Sequence, residues 1–82
     1  MPTLFSVGAY RVVIFVNDHA PPHVHALGPE GHARFALGVS PEGVVLLESS
    51  GIPRRALARI AAEIIERHAQ CRWHWENFHG RQ

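Results

Sequence analysis

Residues 10–16 read Tyr-Arg-Val-Val-Ile-Phe-Val. They are β-branched and aromatic and apolar at both alternating sets of positions, which predicts a strand buried on two faces. Asn17 to Pro22 interrupts that run with turn formers and two prolines, so a rigid loop is expected there. His23 to Leu27 is short and extended, and Gly28-Pro-Glu-Gly31 reads as a hairpin connection. From His32 to Leu37 the chain alternates: Ala33, Phe35 and Leu37 face one way, His32 and Arg34 the other. After a turn at Ser40 to Gly43, Val44 to Glu48 predicts a fourth strand. The period then changes. Leu57, Ile60, Ala61, Ile64, His68, Cys71 and Trp75 recur at intervals of three and four, the stripe of one helix running from about 53 to about 77 and ending near Gly80. Pro53 suits the first turn of that helix. The sum is an α+β fold: a small antiparallel sheet of about four strands followed by one long C-terminal helix packed on one face.

Composition narrows the class. Apolar residues make up 46% of the 82 positions and charged residues 18%, which excludes a disordered chain and fits a single domain over residues 1–82. No window approaches the roughly 18 apolar residues of a membrane span, so no membrane contact is expected. Met1-Pro-Thr-Leu-Phe5 lacks the basic and apolar regions of a secretory signal, and Cys71 is the sole cysteine, so a cytoplasmic protein is expected. A net charge of +1 gives no global field to gather nucleic acid. All eight basic residues are arginine, the side chain suited to bidentate contact with carboxylate or phosphate.

Chemistry concentrates in one segment. His19, His23 and His25 are spaced H-x3-H-x-H, with Asp18 the one carboxylate nearby. Residues two apart in a strand share a face, so His23 and His25 aim together, and His19 reaches them from the far side of the proline loop. Neutral imidazoles are ligands for a transition metal such as zinc, and three protein ligands would leave an open position. Without metal, His23 or His25 is a candidate general base and Arg34 a candidate stabiliser of a phosphorane-like transition state, the equipment of a small phosphodiester-cleaving ribonuclease. That grouping requires strand His32–Leu37 to pair with 23–27 in the right register, since a slip of one residue would turn the set toward the core.

Arg54, Arg55 and Arg59 crowd the first turns of the helix, where positive charge opposes the helix dipole. They suit an acidic partner; Glu63 and Glu66 dilute the stripe, so the nucleic-acid signal is weak. Trp73 lies far around the helix from Trp75 and is expected on the surface, where a tryptophan suits a protein–protein contact. Cys71 is expected to fill core space.

Several strings together resemble a small bacterial family, DUF4160, a domain of unknown function. They are Met1-Pro-Thr-Leu-Phe5, Gly8-x-Tyr-Arg11, Pro21-Pro-His-Val-His-Ala26, Ala33-Arg-Phe-Ala-Leu37, Arg54-Arg-Ala-Leu57 and Trp75-x-x-Phe-His-Gly80. The Pro-Pro-His-x-His string is the most specific of them. This chain departs from the family in having His32 where a small aliphatic or a charged residue is usual, and Arg34 where lysine is usual; arginine keeps the charge. The resemblance implies a two-gene, toxin–antitoxin-like setting in which the protein binds a cognate small partner or a second copy of itself. Partner binding is therefore the first functional expectation, with ribonuclease chemistry at His23, His25 and Arg34, or metal binding at His19, His23 and His25, as alternatives.

Overall fold

The computed structural model describes residues 3–79. Five strands form one sheet in the order β1-β2-β3-β4-β5: β1 Thr3–Val7, β2 Tyr10–Val13, β3 His23–Leu27, β4 His32–Ala36 and β5 Val45–Ser50. Every neighbouring pair is antiparallel. A short 3-10 turn, Pro41–Gly43, joins β4 to β5, and two helices follow, α1 Arg54–Glu66 and α2 His68–His79. The α+β class holds, with two corrections to the sequence reading.

First, there are five strands and not about four. The additional one, β1, pairs with β2 at the sheet edge and fully buries only Val7, so it lacks the apolar run that marks a strand buried on two faces. Second, the single helical stripe is divided between two helices. Arg67 leaves helical geometry at φ −108° and ψ 27°. Neither glycine nor proline marks this break. The stripe nevertheless survives it, because Ile60 and Ile64 before it and His68, Cys71 and Trp75 after it are all buried. The second helix is tied to the end of β4: His68 Nε2 donates to the Leu37 carbonyl at 2.9 Å, and Arg72 donates to the Gly38 carbonyl at 3.1 Å. The expected helix end at Gly80 lies outside the described residues.

The strand expected over 10–16 stops at Val13 for a local reason. Asp18 Oδ2 accepts the Phe15 N–H at 3.0 Å, and the Asp18 N–H donates to the Phe15 carbonyl at 3.0 Å. Phe15 and Val16 thereby turn out of the sheet, although their side chains read as strand. The hairpin at 28–31 closes as expected, with Gly28 N–H donating to the Gly31 carbonyl. Beside that hairpin Gly51 adopts φ +77°, and a Cβ there would collide with the Glu30 carbonyl, so the turn out of β5 requires glycine.

The sheet has two unlike faces. Val12, Val24, Ala26, Ala33 and Phe35 form the inner face and pack with Ile60, Ile64, Cys71 and Trp75 into one core. The register then sets the outer face. Val13 lies opposite His25, His25 opposite Arg34, and Arg34 opposite Glu48. The inner face supplies the apolar burial; the outer face carries titratable groups.

Cys71 sits in that core with its thiol pushed up to about 11 by burial, the Arg67 charge only partly opposing this. A thiol that stays protonated is a poor nucleophile. Alkylation by iodoacetamide around pH 8 is expected to be slow in the folded protein and fast after denaturation; rapid native labelling would show that the core opens readily.

Candidate metal centre

The outer face would be open to solvent if the 14–22 loop did not fold back over it. Phe15 brings its ring edge-on to His25, with centroids 4.6 Å apart. Asp18 then reaches the start of β3. Its carboxylate lies 3.1 Å from His25 Nε2 through both oxygens and 3.5 Å from His23 Nε2 through Oδ1. The two imidazoles meet edge to face at 5.0 Å. Behind them, Trp75 of the core backs His23 at 5.3 Å. All three side chains are largely withdrawn from solvent, with Asp18 only 12% exposed.

Burial alone would raise the Asp18 carboxyl. The Phe15 N–H, the hydrogen bond from His25 and the charges of His25 and His23 outweigh it and hold the carboxyl below its ordinary value. The aspartate therefore stays ionised beside two imidazoles. On the other side of His23, Nδ1 lies 3.0 Å from the Pro21 carbonyl. A carbonyl only accepts, so Nδ1 carries the hydrogen, and Nε2 of the neutral ring presents a lone pair toward Asp18. A histidine that donates one ring N–H to a backbone carbonyl and turns the other nitrogen inward is oriented as a metal ligand.

One ligand atom each from Asp18, His23 and His25 lies within 4.8 Å of the others, the sole such grouping among the described residues. Nitrogen and oxygen ligands about 2.0–2.1 Å from a tetrahedral zinc stand about 3.3 Å apart. The contacts of 3.1 and 3.5 Å from Asp18 to the two histidines bracket that spacing. The donor set of two imidazoles and a carboxylate suits zinc and similar divalent ions.

These groups line a cavity of about 390 Å³ together with Asn17, His19, Ala20, Pro21, Arg34 and Leu47. The structure thus brings together His23, His25 and Arg34, as the ribonuclease grouping requires. It places His19 differently from expectation: His19 lines the cavity but is exposed and stands outside the ligand cluster, where Asp18 takes the third position. The signal for Asp18 was its nearness to the histidines in sequence; the Asn17-Asp18 pair reads first as turn chemistry, and here it is both. His32 is exposed at the hairpin end of β4, opposite Leu27, and does not line the cavity.

The residues expected at a partner surface lie elsewhere. Arg54, Arg55 and Arg59 are exposed at the start of α1, with Arg54 bordering an apolar groove beside β5 and the other two bordering a separate one. Trp73 is 60% exposed on α2, its ring edge-on to His74.

Fold and site together define a class: a small α+β domain whose antiparallel meander holds its core on one face and a histidine–carboxylate cavity on the other. The chain belongs to the DUF4160 family, a domain of unknown function, whose model matches residues 9–76. No curated protein and no solved structure matches it. No helix among the described residues is long and apolar enough to cross a membrane.

Asp18→Ala removes the acceptor of the Phe15 N–H and the partner of both histidines. It is expected to lower the unfolding free energy by about 1–3 kcal/mol, read from denaturant titration. An unchanged midpoint would mean that the loop stays in place without this carboxylate.

Proposed function

We propose that this protein binds a divalent transition metal, zinc foremost, through Asp18, His23 and His25. One observation carries the reading: one ligand atom each from Asp18, His23 and His25 converge within 4.8 Å, His23 Nε2 lying 3.5 Å from the Asp18 carboxylate. With the His23 ring neutral, a cation between that nitrogen and the carboxylate is attracted to both. His25 closes the third side, and all three residues border one cavity. When bound, such an ion would supply Lewis acidity to a ligand in that cavity. The protein's own part is to hold the imidazoles: Pro21 fixes the His23 ring through its carbonyl, and Phe15 and His23 flank the His25 ring. The phosphodiester-cleaving alternative draws on the same cavity, since His23, His25 and Arg34 all border it.

The test is metal content. Tag-free protein, loaded with zinc and dialysed, is expected to retain close to stoichiometric zinc, and Asp18→Ala combined with His25→Ala to retain almost none while keeping its circular dichroism. Zinc-free wild type after the same treatment would show that a second proton on His23, and not a metal, answers the carboxylate.

Partner binding keeps its own support, from a different place. β5 is an edge strand with Val45, Leu46 and Leu47 respectively 53%, 42% and 48% exposed, and it contains neither proline nor lysine to discourage pairing. Such an edge suits an added strand, with main-chain hydrogen bonds for affinity and the exposed aliphatic side chains for burial. In the two-gene setting that the family resemblance implies, that strand belongs to the cognate protein or to a second copy. Light scattering of the chain, alone and mixed with its neighbour's product, is expected to show a complex that Leu46→Lys weakens. A monomer under both conditions removes this reading.

A further inference from the structure

We infer that the cavity beside the metal centre takes a phosphate-class oxyanion, seated by Arg34 and conditional on the metal. The inference rests on the metal reading above and adds the ligand. Arg34 stands directly across from His25 in the β3–β4 register, on the same face of the sheet. Residues so paired have their Cβ atoms about 5 Å apart, which is within reach of a shared small ligand. Arg34 also borders the cavity that holds Asp18, His23 and His25.

The guanidinium is under-used. Among the described residues its buried Nε has no hydrogen-bond acceptor, and its one ionic contact is to Glu48, at 3.6 Å, which is beyond good hydrogen-bond length. A guanidinium offers five donors in a fixed fork, and a buried donor left without an acceptor costs stability. A tetrahedral oxyanion takes two parallel bonds from the terminal nitrogens of that fork, the side chain being 39% exposed while its Nε is not.

Charge sets the condition. Without a metal, and with both imidazoles neutral, the carboxylates of Asp18 in the cavity and of Glu48 beside Arg34 outnumber the one guanidinium and disfavour an anion. A divalent ion at Asp18, His23 and His25 reverses the balance and gives the oxyanion a second point of attachment. The ion and the guanidinium then hold one ligand from two sides, the arrangement used to clamp phosphoryl groups. Glu48 is the competitor in this scheme, holding Arg34 weakly when no oxyanion is present.

The experiment loads the full chain with cobalt(II) and follows its visible bands during titration with inorganic phosphate, with acetate in parallel. Phosphate is expected to shift the bands and saturate. Arg34→Gln is expected to weaken it about 10-fold or more, as loss of a charge-assisted pair does, and Glu48→Gln to tighten it. Metal-free protein is expected to leave the phosphorus-31 resonance unbroadened. Cobalt loading with no response to phosphate, or equal affinity in Arg34→Gln, overturns the oxyanion site and leaves the metal reading standing. Acetate binding as tightly as phosphate reassigns the cavity to carboxylates and overturns the inference as stated. Failure of cobalt to load overturns both.

Discussion

The arrangement depends on one carboxylate. Asp18 ends β2 by capturing the Phe15 N–H, and it brings the loop down on β3 by meeting His25 and His23. Without it the outer face of the sheet would be a plain polar surface. With it, two imidazoles are withdrawn from water, aimed at a common point and set beside Arg34. The local turn and the candidate chemistry are therefore the same feature. That is economical in a chain of 82 residues, whose single core has little stability to spare for a separate scaffold.

The division of the sheet into two faces does the rest. Strand alternation sends Val24, Ala26, Ala33 and Phe35 to the helices and His25 and Arg34 to the loop. The strength of the apolar side holds the register of the polar side. Sliding β4 by one residue would expose Phe35 and bury Arg34, so core packing is what fixes the guanidinium opposite His25. Trp75 joins the two halves, as a core residue on α2 that also backs the His23 ring.

Much of this was legible in the chain. The alternation over 32–37, the glycine-bounded hairpin and the three-and-four stripe gave the inner face, the β3–β4 pairing and the helical layer, because each follows from burial periodicity. What escaped lacks such periodicity. β1 is a short edge strand with one fully buried residue, Val7, and carries little burial signal. The break at Arg67 is made by no helix-breaking residue; hydrogen bonds from His68 and Arg72 to β4's end accompany it, and these are long-range. The run over 10–16 hid the departure of Phe15 and Val16, since apolar composition does not distinguish a strand from a loop that packs back on one. The histidine pair was readable from the two-residue strand repeat. The third member was not: His19 and Asp18 are adjacent, and the backbone turn decides which of them faces inward.

Asp18, His23 and His25 all fall within the segment 18–25, whereas Phe35 and Ile64 lie far apart in sequence and meet only in the finished core. Closing so short a stretch around a cation forfeits little chain entropy. Loading or stripping an ion would therefore rearrange one corner and leave the rest of the domain standing, unlike a zinc finger, whose collapse accompanies metal loss. The corner is in that sense a detachable module of the chain, open to gain or loss by a few substitutions without renegotiating the hydrophobic interior.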